Sequence, residues 1–258
     1  MTAPLADTPP IVLETKNLNK RFGALEVAGD INFRLGRGAR HALIGPNGAG
    51  KTTFVNLLTG RLAPSSGRVF LNGNDVTMLP TDARVRLGLA RTFQINTLLK
   101  GLSVVENVQL AVLERRGQGR ILIGGAAAQR DAAEAAYDLL ESFRLADDAL
   151  TPVGLLPYGR QRLVEVAVAL ALEPTVLLLD EPAAGVPEAD SQRMFELIDS
   201  LPESIGVLII EHDMKLVFRF AQRISVLVQG RLLTEGTPAE IVEDQRVRDV
   251  YLGHRPHA

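Results

Sequence analysis

Residues 45–52 form a glycine-rich segment, Gly-Pro-Asn-Gly-Ala-Gly-Lys-Thr, that fits the eight-position pattern G-x-x-x-x-G-K-[ST]. The apolar residues before it, Ala42 to Ile44, predict a strand. Thr52 to Thr59 predict a helix, and Gly60 is a typical stop signal. A phosphate-binding loop requires this strand-loop-helix context, whereas a glycine-rich turn with a chance lysine does not. The segment therefore predicts an α/β fold with a phosphate-binding loop.

Backbone amides, a lysine and a hydroxyl give this loop its predicted chemistry. Glycines let successive N–H groups turn inward around phosphate oxygens, and the helix beginning near Gly50 directs its positive dipole end to the same place. Lys51 supplies a positive charge to the β and γ phosphates, and the Thr52 hydroxyl can bind Mg²⁺. We therefore expect ATP and Mg²⁺ as ligands. The residues expected to bind nucleotide here are Gly45, Pro46, Asn47, Gly48, Ala49, Gly50, Lys51, Thr52 and Thr53.

The composition fits one large domain and disfavours several classes of protein. Of 258 residues, 46% are hydrophobic, enough to bury a full-sized core. The chain has 28 Lys plus Arg and 30 Asp plus Glu, so no basic field attracts nucleic acid, and we expect no nucleic-acid partner. It has no cysteine, which excludes disulfides and thiolate metal sites. With no membrane-spanning apolar run or signal peptide, we expect a cytoplasmic protein.

Hydrophobic patterning predicts a layered α/β architecture. From Ile11 to Leu35, short apolar pieces alternate with polar residues and break at Gly23 and Gly29, which predicts twisted antiparallel strands. Val176 to Leu179 and Val207 to Ile210 are continuous apolar runs that each follow a helical pattern, as in parallel sheets covered by helices. We therefore predict a P-loop core with a mostly parallel sheet flanked by helices, an N-terminal antiparallel β sub-domain and a helical sub-domain.

The same patterning predicts the domain organisation. Residues 1–10 contain three prolines and are expected to form a flexible arm. Residues 11–253 are expected to form a single domain, with the helical sub-domain inserted at approximately 98–173. Residues 254–258 are expected to be a short tail.

Two acids and a histidine follow the predicted buried strands. Ligands of open α/β sheets bind outside the carboxyl ends of the strands, so Asp180 and Glu181 should face the phosphates. Asp180 is placed to hold Mg²⁺, and Glu181 to orient or deprotonate the water that attacks the γ-phosphate. His212 falls on the same edge and could donate to phosphate and orient Glu181. The alternative is an ordinary strand end, where such polar residues are simply solvated.

Taken together, these residues resemble the ATP-binding cassette (ABC) family from about Ile11 to Gly253. The resemblance implies that Phe22 stacks on adenine, although an aromatic residue there could also belong to the core. It implies that Gln94 contacts Mg²⁺ as the Q-loop glutamine, and that His212 is the switch histidine. Pro182 to Pro187 match the loop that contacts the opposing subunit. The signature loop is matched by Leu156, Pro157, Tyr158, Gly159, Arg160 and Gln161.

The resemblance also implies partners. In this family, the signature loop of one cassette closes over the ATP held by another, so a second ABC ATPase subunit, the same or homologous, is expected. The helix predicted over Arg160 to Leu172 would present free N–H groups to the facing γ-phosphate. Integral membrane permease subunits are expected as further partners, and a solute-binding protein indirectly. The chain would lie on the inner face of the cell membrane.

Two prolines depart from the family pattern. The signature usually has serine where Pro157 stands, so a hydroxyl for the opposing γ-phosphate is missing, although proline is tolerated at a helix start. The opposing-subunit loop usually has aspartate where Pro187 stands, with Glu188 next to it. Both changes affect the contact between cassettes, so we expect turnover that is slow or dependent on the partner.

Within the family, four segments resemble the ATPase subunits of branched-chain amino acid importers. They are Arg91 to Gln94, Ala183 to Gly185, Ile210 to Met214 and Tyr251 to Gly253. Alternatives within the family are an exporter cassette or a non-transport ABC ATPase. Outside it, a GTPase would need an Asn-Lys-x-Asp base reader after a later strand, and the chain has none.

The apolar residues after Gln94 allow two interpretations. Leu98, Leu99, Leu102, Val104 and Val105 lie in Ile95 to Glu106, where the family docks a short helix of the membrane subunit. They could form that groove or simply pack the helical sub-domain.

Overall fold

The computed structural model of the chain describes residues 9–92, 98–118 and 126–252. The strands in these ranges are β1 (Ile11–Phe22), β2 (Leu25–Gly36), β3 (Arg40–Ile44), β4 (Ser66–Leu71), β5 (Asn74–Asp75), β6 (Leu89–Arg91), β7 (Val176–Asp180), β8 (Gly206–Ile210), β9 (Arg223–Val228) and β10 (Arg231–Gly236). The α-helices are α1 (Lys51–Leu58), α2 (Thr81–Arg86), α3 (Val104–Arg115), α4 (Ala126–Ser142), α5 (Tyr158–Ala171), α6 (Glu188–Asp199), α7 (Met214–Phe220), α8 (Pro238–Glu243) and α9 (Gln245–Leu252). None of these helices is long and apolar enough to cross a membrane.

The larger sheet is mostly parallel, as predicted. Its strand order is β10-β9-β3-β8-β7-β6, and only β10 pairs antiparallel, with β9. Every residue of β3, β7 and β8 is buried, because helices cover one face of the sheet, while α1 and the antiparallel strands cover the other. Parallel pairing brings the carboxyl ends of β3, β8, β7 and β6 to one edge, where the predicted site residues follow.

The smaller sheet is antiparallel and has the order β2-β1-β4-β5. The break predicted at Gly29 is wrong, because β2 continues through it to Gly36. The chain is irregular there instead: the pairing register shifts between Ala28 and Ile31, Asp30 has φ 50°, and the Gly29 N–H donates to Gly230 O at 2.9 Å. The bulge lets the smaller sheet reach the β9–β10 turn of the larger one.

The segment after β6 is helical, as predicted. Helices α3, α4 and α5 contact one another, and apolar side chains from all three join the same core as the parallel sheet. Helix α3 starts with a capping box, in which Ser103 and Glu106 satisfy each other's backbone N–H groups. The boundaries of the domain and sub-domain stay a prediction. Residues 1–8 and 253–258, from the predicted arm and tail, lie outside the described residues.

The helix that follows the glycine-rich loop is anchored at its far end by Arg84. This side chain is 1% exposed, and its guanidinium donates to the carbonyls of Leu57 and Leu58 at 2.8 and 2.7 Å. Burial lowers the Arg84 pKa to about 10. The last carbonyls of α1 are thereby satisfied by a buried cation, which fixes the helix against α2.

Candidate functional site

The loop between β3 and α1 has the backbone that the sequence pattern predicts. A Cβ atom at position 45 would lie 2.2 Å from Leu227 O, so only glycine fits between the loop and β9. Gly50 is left-handed, with φ 101°, and forms the N-cap of α1 without a side-chain cap. The first N–H groups of α1 are therefore left to point into the loop, which is the arrangement that binds anions.

Lys51 lies across the mouth of this loop. Its Nζ donates to Gly45 O at 2.6 Å and to Pro46 O at 3.1 Å. Burial lowers the pKa of Lys51, while the charges of Glu181 and Asp180 raise it. The Lys51 ammonium therefore lies near enough to Asp180, the last residue of β7, and to Glu181 to interact with both charges.

Asp180 ends β7 with its side chain buried, only 3% exposed. Its Oδ2 accepts a hydrogen bond from Arg91 Nη2 at 2.6 Å, and Arg91 Nη1 donates to Asn56 Oδ1 at 3.0 Å. Asn56 lies four residues after Thr52 on α1, so the two share a helix face. Sequence reasoning did not find the contact of Arg91 with Asp180, which joins residues 89 positions apart.

These residues fit a magnesium ion of the kind that nucleotides carry. Mg²⁺ is usually held by one or two carboxylates together with water and substrate phosphates, rather than by an all-protein cage. The described ranges contain no cluster of three or more His, Cys, Asp or Glu side chains able to hold a metal. Asp180 and the Thr52 hydroxyl supply the few protein oxygens that such a site needs, and the adjacent loop would hold the phosphates that supply further oxygens.

Glu181 sits in a strained backbone conformation at the carboxyl end of β7. Its φ is 47°, unusual for a residue with a side chain, and its N–H donates to Ile210 O on the neighbouring strand at 2.9 Å. The side chain is half-buried. Strain of this kind clusters at functional sites, because the surrounding structure must enforce it.

Glu211 is a buried carboxylate that sequence reasoning missed. It directly follows β8 and is 1% exposed, and its oxygens accept the backbone N–H groups of Ala183 and His212 at 3.0 and 3.1 Å. Burial raises the Glu211 pKa, and hydrogen bonds from the backbone oppose that shift. His212 itself is exposed, with Nδ1 3.8 Å from Glu211 Oε2. The available signal was an acid placed between an apolar strand and the histidine.

The residues from Leu156 to Gln161 span the N-terminus of α5, which begins at Tyr158. Pro157 is the N-cap residue and makes no side-chain cap hydrogen bond, while Gln161 Nε2 donates to Leu156 O at 2.8 Å. Tyr158 is 44% exposed and accepts a hydrogen bond from Arg162 Nε at 3.0 Å. The helix therefore begins two residues earlier than predicted, with its N-terminal N–H groups at the signature residues.

Two further predicted residues are Phe22 and Gln94. The Phe22 ring is 55% exposed at the end of β1, with Lys20 Nζ 5.0 Å from its centroid. Gln94 lies outside the described residues. Tyr251, named in the sequence only as part of a resemblance, contacts the glycine-rich loop: burial raises its pKa to about 12, and a hydrogen bond with the Gly45 backbone lowers it.

Comparison with known proteins decides the family. The sequence profile of the ABC transporter family matches residues 28–184, more than half of the chain. The chain belongs to the ABC transporter family. A second profile, of the branched-chain amino acid ATP-binding cassette transporter, matches residues 231–257. This ABC protein is thus an ATPase cassette, and the fold class predicted from the sequence is confirmed.

Relatives of this ABC cassette match along almost its whole length. A high-affinity branched-chain amino acid transport ATP-binding protein of Pseudomonas aeruginosa, BraF, is 38% identical over 94% of this chain and 98% of its own. The corresponding LivG protein of Escherichia coli K12 is 37% identical over the same shares. A solved structure of the ADP form of an ATP-binding cassette from an ABC transporter has a TM-score of 0.82 and 29% identity, covering 94% of this chain and 99% of that one.

Proposed function

We propose that this chain is the ATP-hydrolysing subunit of an ABC importer for branched-chain amino acids or related small solutes. The observation that carries the proposal is the grouping of Lys51, Asp180 and Glu181 beside an anion-binding loop, in a cassette whose relatives are named for branched-chain amino acid transport. The solute passes through separate membrane permease subunits, after delivery by a solute-binding protein. The cassette lies on the inner face of the membrane.

The residues of the loop bind and orient the nucleotide. Backbone N–H groups at the start of α1 and the Lys51 ammonium hold the β and γ phosphates. Lys51 leaves the carbonyls of Gly45 and Pro46 when it does so, because phosphate oxygens are charged acceptors. The remaining loop residues, Asn47, Gly48, Ala49 and Thr53, surround the phosphates, and Phe22 stacks on the adenine.

The residues after β7 and β8 act on the γ-phosphate. Asp180 and Thr52, with Gln94, hold Mg²⁺, which neutralises phosphate charge when bound. Glu181 orients the attacking water and accepts its proton. His212 donates to the γ-phosphate. The left-handed backbone at Glu181, at the carboxyl end of β7, supports this role, since strained conformations cluster at active sites.

A second cassette completes each site. In this arrangement the N-terminus of α5 binds the facing γ-phosphate through its free N–H groups, and Pro157, which makes no side-chain cap hydrogen bond, adds no hydroxyl to them. The Tyr158 ring packs against Gly185, where a Cβ would lie 3.3 Å from the ring, so the signature and the opposing-subunit loop adjoin within one chain. Both surfaces can therefore face a partner together.

Part of the segment proposed to receive the membrane subunit belongs to the core. Leu98 and Val104 are 6% and 0% exposed and belong to the core that α3, α4 and α5 share, whereas Leu99 is 52% exposed. Residues 95–97 lie outside the described residues. The exposed Leu99 and the surface around it stay available to a permease helix.

Reconstitution of this cassette with the permease subunits of its transporter tests the proposal. In proteoliposomes carrying the permease subunits, this cassette and the solute-binding protein, ATP should drive uptake of labelled leucine, isoleucine or valine. Glu181→Gln should bind ATP and form a trapped dimer on sizing chromatography, yet abolish uptake. ATP hydrolysis without uptake of any of these amino acids would contradict the proposed solute, and full uptake with Glu181→Gln would contradict its proposed role.

A further inference from the structure

We infer that Arg91 is a positioning residue for the metal-binding carboxylate, holding Asp180 in place from the adjacent strand and tying it to α1 through Asn56. The inference rests on the proposed function, since it concerns the Mg²⁺ that accompanies ATP. It adds a residue that binds neither nucleotide nor metal to the residues that set the geometry of the site.

The contact is direct and buried. Arg91 Nη2 lies 2.6 Å from Asp180 Oδ2, and the two side chains are 7% and 3% exposed. Water therefore competes weakly for either group, and a charged hydrogen bond of this length is strong. Without Arg91, Asp180 would be a buried carboxylate that has lost this charged partner.

Register explains why the strands bring these two residues together. Arg91 is paired with Leu178 in the parallel β6–β7 ladder, and Asp180 lies two residues beyond Leu178 on the same face of β7. The long arginine side chain spans that diagonal. A shift of one residue in either strand would point one partner to the opposite face of the sheet.

The planar guanidinium suits a connection between three elements. While Nη2 bonds Asp180 on β7, Nη1 bonds Asn56 Oδ1 on α1 at 3.0 Å. A lysine ammonium is a point charge on a flexible stem and lacks this rigid two-armed geometry. Arg91 thus fixes the distance between the helix that carries Thr52 and the strand that carries Asp180, two of the proposed metal ligands.

The role of the second carboxylate oxygen follows. Arg91 engages Oδ2, and we assign Oδ1 to the hydration shell of the metal ion. Partners that orient a metal ligand commonly matter almost as much as the ligand, and their loss weakens metal binding by about 10- to 100-fold. Loss of Arg91 should therefore weaken the metal-dependent part of nucleotide binding and leave the metal-independent part intact.

Equilibrium binding of a fluorescent ATP analogue, with EDTA and across a Mg²⁺ titration, separates these two parts. Arg91→Met should bind the analogue in EDTA with wild-type affinity, within about twofold, because Lys51 and the loop are unchanged. The Mg²⁺ concentration for half-maximal tightening should rise about tenfold or more. Arg91→Lys should give an intermediate value, since it keeps the charge and loses the fork.

Two further variants keep the test decisive. Arg115→Met is the matched control, because Arg115, at the end of α3, is another arginine paired with an acid, Glu173. This variant should leave both affinities unchanged. If Arg91→Met fails to fold, Asn56→Ala serves instead, and it should shift the Mg²⁺ dependence in the same direction by a smaller factor.

The inference is overturned if Arg91→Met, or Asn56→Ala in its place, keeps the wild-type Mg²⁺ dependence. Equal weakening with and without Mg²⁺ also overturns it, because a purely structural arginine would act on both affinities alike. Failure of the wild-type chain to bind the analogue at all would instead contradict the proposed function.

Discussion

The buried carboxylate of Glu211 accepts a hydrogen bond from the backbone N–H of Ala183 at 3.0 Å, across the boundary between β8 and the turn that follows β7. Its other oxygen accepts the N–H of His212 at 3.1 Å. One side chain therefore connects the turn after the proposed base, Glu181, with the proposed phosphate donor, His212. Movement of either segment must break a charged hydrogen bond, worth about 1.5–3 kcal/mol.

Glu211→Gln should slow hydrolysis more than it weakens binding. The amide keeps the size of the side chain, but its NH₂ group cannot accept the N–H that the lost oxygen accepted. We expect kcat to fall about tenfold or more, and the KM for ATP to change less than about threefold, because the phosphate loop is untouched. Steady-state ATPase kinetics measure both constants.

Glu106→Gln is the matched control for this variant. Glu106 also accepts a backbone N–H, that of Ser103 at 2.7 Å, but it does so at an exposed helix cap. Its substitution should leave kcat unchanged. A wild-type kcat in Glu211→Gln would show that the link between the two segments has no part in turnover.

Pro157→Ser should make the proposed dimer form at lower ATP concentration. Pro157 occupies the N-cap of α5 without a side-chain hydrogen bond, so a serine hydroxyl gains access to the facing γ-phosphate or to the helix N–H groups. A well-aligned charge-assisted bond contributes about 1.5–3 kcal/mol. The measurement is dimer fraction against ATP on sizing chromatography, comparing Glu181→Gln with the Glu181→Gln, Pro157→Ser double variant.

Thermal melting and the control variant Pro80→Ser separate an effect of Pro157→Ser on dimer formation from an effect on folding stability. Pro80 is the N-cap of α2, also without a side-chain hydrogen bond, so Pro80→Ser adds a cap where no second cassette is expected. It should change the melting temperature and leave the ATP requirement alone. An ATP requirement for Pro157→Ser that is unchanged or higher would mean that backbone N–H groups already satisfy the phosphate.

The burial of His41 predicts that the protein loses stability in mild acid. The ring is 2% exposed, with Nε2 2.9 Å from Ser225 Oγ, and burial lowers the His41 pKa to about 4. The unfolded chain, with a pKa of about 6.5, binds a proton there first. The contribution of His41 to the free energy of unfolding is therefore complete above pH about 6.5. It is lost as the pH falls from about 6.5 through about 4, by roughly 3 kcal/mol in total.

Chemical denaturation at several pH values tests this dependence. His41→Gln keeps a group that can bond Ser225 but cannot titrate, so the slope of unfolding free energy between pH about 6.5 and 4 should flatten. A constant offset at all pH values would reflect packing alone. An unchanged slope would show that His41 does not carry the dependence.

The sequence predicted the fold well where the signals were local. The glycine-rich pattern and the continuous apolar runs of β7 and β8 each identify their own structure, because a buried parallel strand must be apolar on both faces. The strand break predicted at Gly29 was wrong, because a glycine that ends a strand and one that forms a bulge look alike in sequence. The bulge depends on a partner, Gly230, far along the chain.

The site was predictable only in part for the same reason. Asp180 and Glu181 could be placed at a strand end from the residues alone. Arg91 could not be linked to Asp180, because β6 has three residues and its position beside β7 follows from the tertiary fold. The sequence does not show that Glu211 is buried, and its burial and its hydrogen bond with Ala183 distinguish it from a solvated acid beside His212.

ATP hydrolysis and ATP binding by the purified chain, compared with Lys51→Ala, test the central claim most directly. Lys51 supplies the loop's positive charge, so its loss should abolish Mg²⁺-dependent hydrolysis and greatly weaken nucleotide binding. Lys16→Ala, which removes an exposed lysine paired with Glu14 on the antiparallel sheet, should leave both unchanged. Hydrolysis by Lys51→Ala at the wild-type rate would contradict the assignment of this loop as the nucleotide site.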